Sequence, residues 1–178
     1  RLAEASRSVQ MIDARVKQAQ LVGAFLEPLL SSDPSRKRLA IRAVLIALPE
    51  DGPRLVAEIS QSDPSPAVQE FAASQLSDRR EQLIANLFAP EAPVRIAAAD
   101  EILSGWRSDA EVVSQLIAYA RQHAGNSNGV YNAVAVLAEM DVQALAARRG
   151  IVIEFLRQAE ANGERTRMLS QRLQRQLG

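Results

Sequence analysis

The chain has 178 residues, 47% of them apolar and 24% charged, with 21 basic and 21 acidic side chains in balance. That length suffices for one sizeable domain or one stacked array, and the composition is that of a globular protein. Zero net charge leaves no global field to draw the chain toward nucleic acid or an anionic membrane, and the absence of cysteine excludes disulfides, thiolate catalysis and cysteine zinc sites.

Aromatic residues make up only 4%. The core must therefore come mainly from Leu, Ile, Val and Ala, which pack closely spaced helices, so an all-α fold is expected. The first predicted element covers residues 1–26, where Leu2, Ala5, Val9, Ile12, Val16, Ala19, Gly23 and Leu26 recur at intervals of three and four. Polar residues such as Arg7, Gln10, Asp13, Arg15 and Gln18 fall between them, an a/d heptad stripe. A long N-terminal helix over 1–27 is expected, either packed on the helices behind it or forming a coiled-coil seam with a partner helix or a second copy. The chain opens on Arg1 inside this pattern, which points to a fragment of a larger protein.

Beyond Leu30 the pattern becomes a series of short helices. Pro28, inside the apolar run FLEPLL, is expected to kink or break the first helix. In SSDPSRKRLAIRAVLIALPEDGP, Asp33 or Ser32 can cap the next helix, Pro34 fits its first turn, and Pro49 with Gly52 ends it. Pro53 and Arg54 open LVAEIS, and a second SDPS at Ser62 to Ser65 introduces Val68 to Leu76. Asp78 before Glu81 and Ser108 before Glu111 have capping-box spacing, predicting two further helix starts. Pro90 and Pro93 flank a turn ahead of VRIAAADEIL, and Gly125 stands where a left-handed cap would close VVSQLIAYARQH. Alternating β patterns are nearly absent, so no strand is expected.

Five helices then fall into register: KRLAIRAVLIAL, VQEFAASQL, VRIAAADEIL, VYNAVAVLAEM and TRMLSQRLQRQL, starting 31, 26, 36 and 36 residues apart. Each follows a shorter apolar helix: AFLEPLL, RLVAEIS, QLIANLF, VVSQLIAYA and IVIEFLRQA. Stacked hairpins of this kind share one continuous core. A helix, a turn carrying Asp and Pro, then a helix opening Val-Arg with Ala soon after resembles the HEAT repeat and its armadillo-like relatives. SSDPSRKRLAIRAVLIAL and APEAPVRIAAADEIL match best, and the resemblance runs from Ala24 to Leu177. It implies an α-solenoid of about five hairpins over residues 28–178. It also implies a polar ladder in which Asp33 and Asp63 of the turns pair with Arg38 and Arg95 of the helices, with Gln69 standing where the second unit would have its Arg.

Catalytic machinery is hard to find. His123 is the only imidazole and stands at a helix end, where a partly charged ring complements the dipole. Glu50 with Asp51 and Asp100 with Glu101 are neighbours in sequence and so diverge rather than converge on a substrate. GNSNG, from Gly125 to Gly129, lacks the Lys and Ser/Thr of a phosphate-binding loop and reads as an inter-helix connection. No enzyme, cofactor, metal or small-molecule substrate is expected, and apolar runs such as Val134 to Ala138 fall far short of the roughly 18 residues of a membrane span. The default compartment without disulfides is the cytoplasm.

The remaining candidates are surface residues. Trp106, next to Arg107, is either an exposed interaction anchor or packed beneath a loop; Tyr131 falls in the following hairpin. Near the end, Arg148, Arg149, Arg157, Arg165, Arg167, Arg172 and Arg175 outnumber Glu154, Glu160 and Glu164. Trp106, Tyr131, Arg148, Arg149 and Arg165 are therefore the candidate partner-binding residues. The expected function is a non-catalytic protein–protein interaction or scaffold module, whose partner is another protein or an upstream domain of the same polypeptide, with self-association through 1–26 an option. The alternative is a nucleic-acid-binding array of the kind found in HEAT-like DNA glycosylases, against which the neutral charge argues.

Overall fold

A computed structural model describes residue 20 and residues 23–178. The heptad stripe predicted over 1–26 lies almost wholly outside the described residues. Helical residues 23–30 (α1) are followed by α2 (Pro34–Ala47), α3 (Gly52–Ser62), α4 (Pro66–Asn86), α5 (Ala92–Gly105) and α6 (Ala110–Gln122). Then come α7 (Ser127–Glu139), the short α8 (Val142–Ala146), α9 (Arg149–Ala159), a 3-10 turn (Glu160–Asn162) and α10 (Glu164–Leu177). No strand occurs among the described residues, as the sequence pattern predicts. The chain divides into two compact units at Leu76 and Ser77, within α4.

In the first unit, α2 buries Lys37, Ala40, Ile41, Val44 and Leu45, spaced to lie on one helical face, and packs on α3. Gly52 makes that packing possible: a Cβ there would lie 2.6 Å from the Val44 carbonyl oxygen. The opposite face of α2 carries Leu39 and Ile46, exposed to solvent.

In the second unit, α5 packs on α7 and α7 on α10, while α6 packs on α9. α6 also packs on α7, and α9 on α10. Ile84, Leu87, Ile102, Leu116, Ile117, Leu137 and Leu156 of this unit have almost no exposure. At about 25 cal/mol per Å² of apolar area buried, such fully enclosed aliphatic side chains each favour the folded chain by roughly 1.5–3 kcal/mol.

Several predicted boundaries are corrected. α4 runs without interruption from VQEFAASQL into QLIANLF, so Asp78 and Glu81 form no capping box; the segment between contains neither Pro nor Gly, and Glu81 instead accepts from the Ser77 hydroxyl at 3.3 Å. α6 is capped by Asp109 rather than Ser108: the Asp109 carboxylate accepts from the Glu111 N–H at 2.8 Å. Gly125 is not left-handed, since the only positive φ among the described residues belongs to Gly163, and α6 closes at His123 with its N–H on the Tyr119 carbonyl. Pro28 does not break α1, which continues to residue 30.

Candidate partner-binding surface

The two SDPS tetrapeptides are helix punctuation with different outcomes. In each, the Asp carboxylate accepts from the backbone N–H of the Ser two residues on, at 2.8 Å for Asp33 and Ser35 and 2.9 Å for Asp63 and Ser65. α2 starts at once, with Pro34 in its first turn, whereas α4 waits until Pro66. Pro66 disfavours helical backbone at Ser65, which delays the second helix by two residues. Asp63, the C-cap of α3 rather than the N-cap of α4, is buried and receives the Lys37 ammonium of α2. Burial pushes its carboxyl up, but the hydrogen bonds from Lys37 and Ser65 and the Lys37 charge outweigh this and hold it below its ordinary value.

The Asp–Arg pairs that the resemblance implies do not form among the described residues. Lys37, not Arg38, pairs with Asp63; Arg38 and Arg42 lie over the Phe71 ring, 5.6 and 5.2 Å from its centroid. Arg95 makes no rung: it donates to the Ala89 and Pro90 carbonyls at 2.8 and 2.6 Å, closing the turn before its own helix. Gln69 does the same, donating to the Asp63 carbonyl six residues earlier, at 2.7 Å. Gln serves there as well as Arg because the acceptor is a neutral carbonyl.

Of the five candidate binding residues, Trp106 is corrected: it is packed rather than displayed. The residue is 5% exposed, with the Arg80 guanidinium 5.5 Å from the ring centroid and held there by Asp109 at 3.1 Å. Beside it Arg79 pairs with Glu101 through two bonds of 2.7 and 2.6 Å. Arg148 donates to the Ser114 hydroxyl at 2.8 Å and lies 3.6 Å from Glu111, and Arg149 donates to the Leu177 carbonyl at 2.8 Å. Both tie α9 to neighbouring segments.

Tyr131 and Arg165, thirty-four positions apart in sequence, line one cleft of about 420 Å³. One wall is the start of α7, with Ser127, Asn128 and Tyr131; the other is the start of α10, with Asn162, Gly163, Glu164, Arg165 and Thr166. Asn126 sets the first wall: its side chain accepts from Gly129 N–H and donates to the Phe88 carbonyl, each at 2.9 Å, and Asn132 donates to the Leu87 carbonyl. Gly129 allows α7 to approach, since a Cβ there would overlap the Phe88 ring. Gly163 sets the second wall, with φ 115° and ψ 164°, a backbone region essentially reserved for glycine. The sequence signal for this turn is the Asn-Gly pair at 162 and 163, a common turn dipeptide. Asn162 and Thr166 carry no sequence signal of their own as lining residues.

A smaller cavity of about 180 Å³ opens on the other side of Asn162, which lines both. Its walls are Ala120, Ala124, Val130, Phe155, Ala159 and Ala161, with Arg121 and Gln158 at the rim. Arg121 is held by Glu154 at 3.2 Å and Gln158 at 3.1 Å. Nearby, Glu160 accepts from Gln171 and Gln174; those bonds outweigh slight desolvation and, with Arg167 and Arg157, draw its carboxyl below the ordinary range.

His123 stacks on Tyr119, centroids 4.2 Å apart, and Tyr119 meets Phe88 edge-on at 5.0 Å. Among the described residues, no three His, Asp or Glu side chains come together as a metal site, and no helix is long and apolar enough to cross a membrane. Comparison with family models, curated proteins and solved structures finds no match to this chain.

Proposed function

We propose that this chain is a non-catalytic interaction module, a HEAT-like helical array belonging to a larger scaffold protein, that binds a protein partner on its second unit. The observation that carries this is the convergence of Tyr131 and Arg165 on one open cleft. Tyrosine and arginine dominate the energetics of protein interfaces because each offers large contact area together with a directional polar group. The array reading draws support from the packing of α6 on α7 and of α9 on α10 in the second unit and from the Lys37–Asp63 pair in the first. Arg148 and Arg149 are engaged by the protein's own carbonyl, hydroxyl and carboxylate groups, which favours a protein partner over a phosphate backbone.

The test is a photo-crosslinking residue placed at Tyr131 and, as control, at the exposed Arg54, in cells of the source organism. Adducts specific to position 131 are expected. The protein so identified should bind the purified chain by calorimetry and lose at least tenfold in affinity to Y131A/R165A. Identical adduct patterns at 131 and 54 would overturn the reading.

A further inference from the structure

We infer that the partner segment is an acidic peptide with one branched aliphatic side chain, seated across Asn162: the aliphatic group in the Phe155 cavity, the carboxylate against Arg165 and the start of α10. This rests on the reading of the second unit as a protein-binding surface and specifies its ligand.

The aliphatic half follows from the cavity walls. Ala120, Ala124, Val130, Phe155 and Ala159 give the cavity a mainly apolar wall, with Asn162, Arg121 and Gln158 supplying its polar groups. A small apolar group fills such a space with gain from both desolvation and packing. The volume of about 180 Å³ admits one branched aliphatic chain.

The acidic half follows from charge. Glu154 is held by Arg121, Glu160 by Gln171 and Gln174, and Glu164, which itself lines the cleft, by Arg167 at 3.7 Å. Arg165 has no carboxylate within 4.0 Å among the described residues. Gly163, as N-cap, supplies no side chain to the first N–H groups of α10, and the start of that helix, from Gly163 to Thr166, lines the cleft; Glu164 is the one acidic side chain of its first turn. The second observation is Thr166: 2% exposed, it lines the cleft, and its hydroxyl makes no hydrogen bond to any described residue. A buried hydroxyl facing a cleft beside a guanidinium and free backbone donors is an incomplete anion site. A peptide carboxylate supplies the acceptor for all three.

The test uses fluorescein-labelled octapeptides and anisotropy with the full chain. One carries Leu flanked by Asp and Glu, a second replaces Leu by Ser, and a third replaces the acidic residues by Lys. The first should bind, and the other two at least tenfold more weakly. R165E should weaken the first peptide at least tenfold while leaving the circular dichroism unchanged. A124F, which fills the cavity mouth, should abolish the preference for Leu over Ser; A161F serves if A124F does not fold. Equal binding of all three peptides, no binding of the first at millimolar concentration, or R165E without effect would overturn the ligand assignment. Crosslinks at position 131 would survive that outcome, so the failure of the ligand class and the failure of the interaction surface are separately visible.

Discussion

The Lys37 ammonium on α2 reaches the Asp63 carboxylate, twenty-six positions later, and both side chains are nearly enclosed, at 11% and 5% exposure. Removing one partner of a buried pair leaves the other charge unsolvated, which costs far more than the pair contributes as a whole. D63A is expected to lower the unfolding free energy by about 3 kcal/mol, and the double variant K37M/D63A by clearly less than the sum of the single changes. Urea denaturation of the four proteins checks this; additive losses would mean the two side chains are not coupled.

The same carboxyl sets a pH dependence. Its folded value is depressed from 3.8, so its stabilising contribution is present above that value and is lost as the pH falls through the lower folded value. Stability should decline on acidification below about pH 4, and D63N should show a shallower decline over that window. Urea midpoints between about pH 2.5 and 6 measure it.

Trp106 is the only tryptophan, so its fluorescence reports one place. Buried under Arg80, it should emit well to the blue of the denatured chain and shift red in step with the unfolding of the second unit. W106A should cost about 3–5 kcal/mol. W106F should cost much less, because the indole N–H makes no hydrogen bond that would be lost. Thermal and urea melts followed by circular dichroism distinguish the two.

Glycines separate by their surroundings. G129A drives a methyl group into Phe88, and G52A drives one against the Val44 carbonyl; each should destabilise by about 1–3 kcal/mol. G150A meets open space in the first turn of α9 and should stabilise by about 0.5–1 kcal/mol. Melting temperatures that move in the same direction for all three would contradict the packing described for α3 and α7.

Gly163 joins stability to the cleft. Its φ of 115° with extended ψ costs any other residue about 1–3 kcal/mol. G163A should therefore lower stability and weaken the acidic peptide, by displacing Arg165 and Thr166 from the cleft wall. Anisotropy at a temperature well below the melting transition separates the two effects.

Much of the local structure was legible along the chain. Asp33 with Pro34, Pro53 after Gly52, and Pro93 ahead of Val94 all stand at helix starts, because caps and prolines act on their own backbone. The five aligned helices are the openings or bodies of α2, α4, α5, α7 and α10. Capping-box spacing misled at Asp78, since a cap works only where something stops the preceding helix, and nothing between Leu76 and Leu83 does.

The sequence by itself thus determined the helical class, the absence of strands among the described residues and most of the turns, since these depend on periodicity and on residues adjacent in the chain. Only the tertiary structure decided that Lys37 rather than Arg38 meets Asp63, that Trp106 is enclosed, and that Tyr131 and Arg165 share a cleft. Those outcomes depend on which faces of distant helices oppose one another. That is settled by how the aliphatic core of each unit packs, a property no single segment carries.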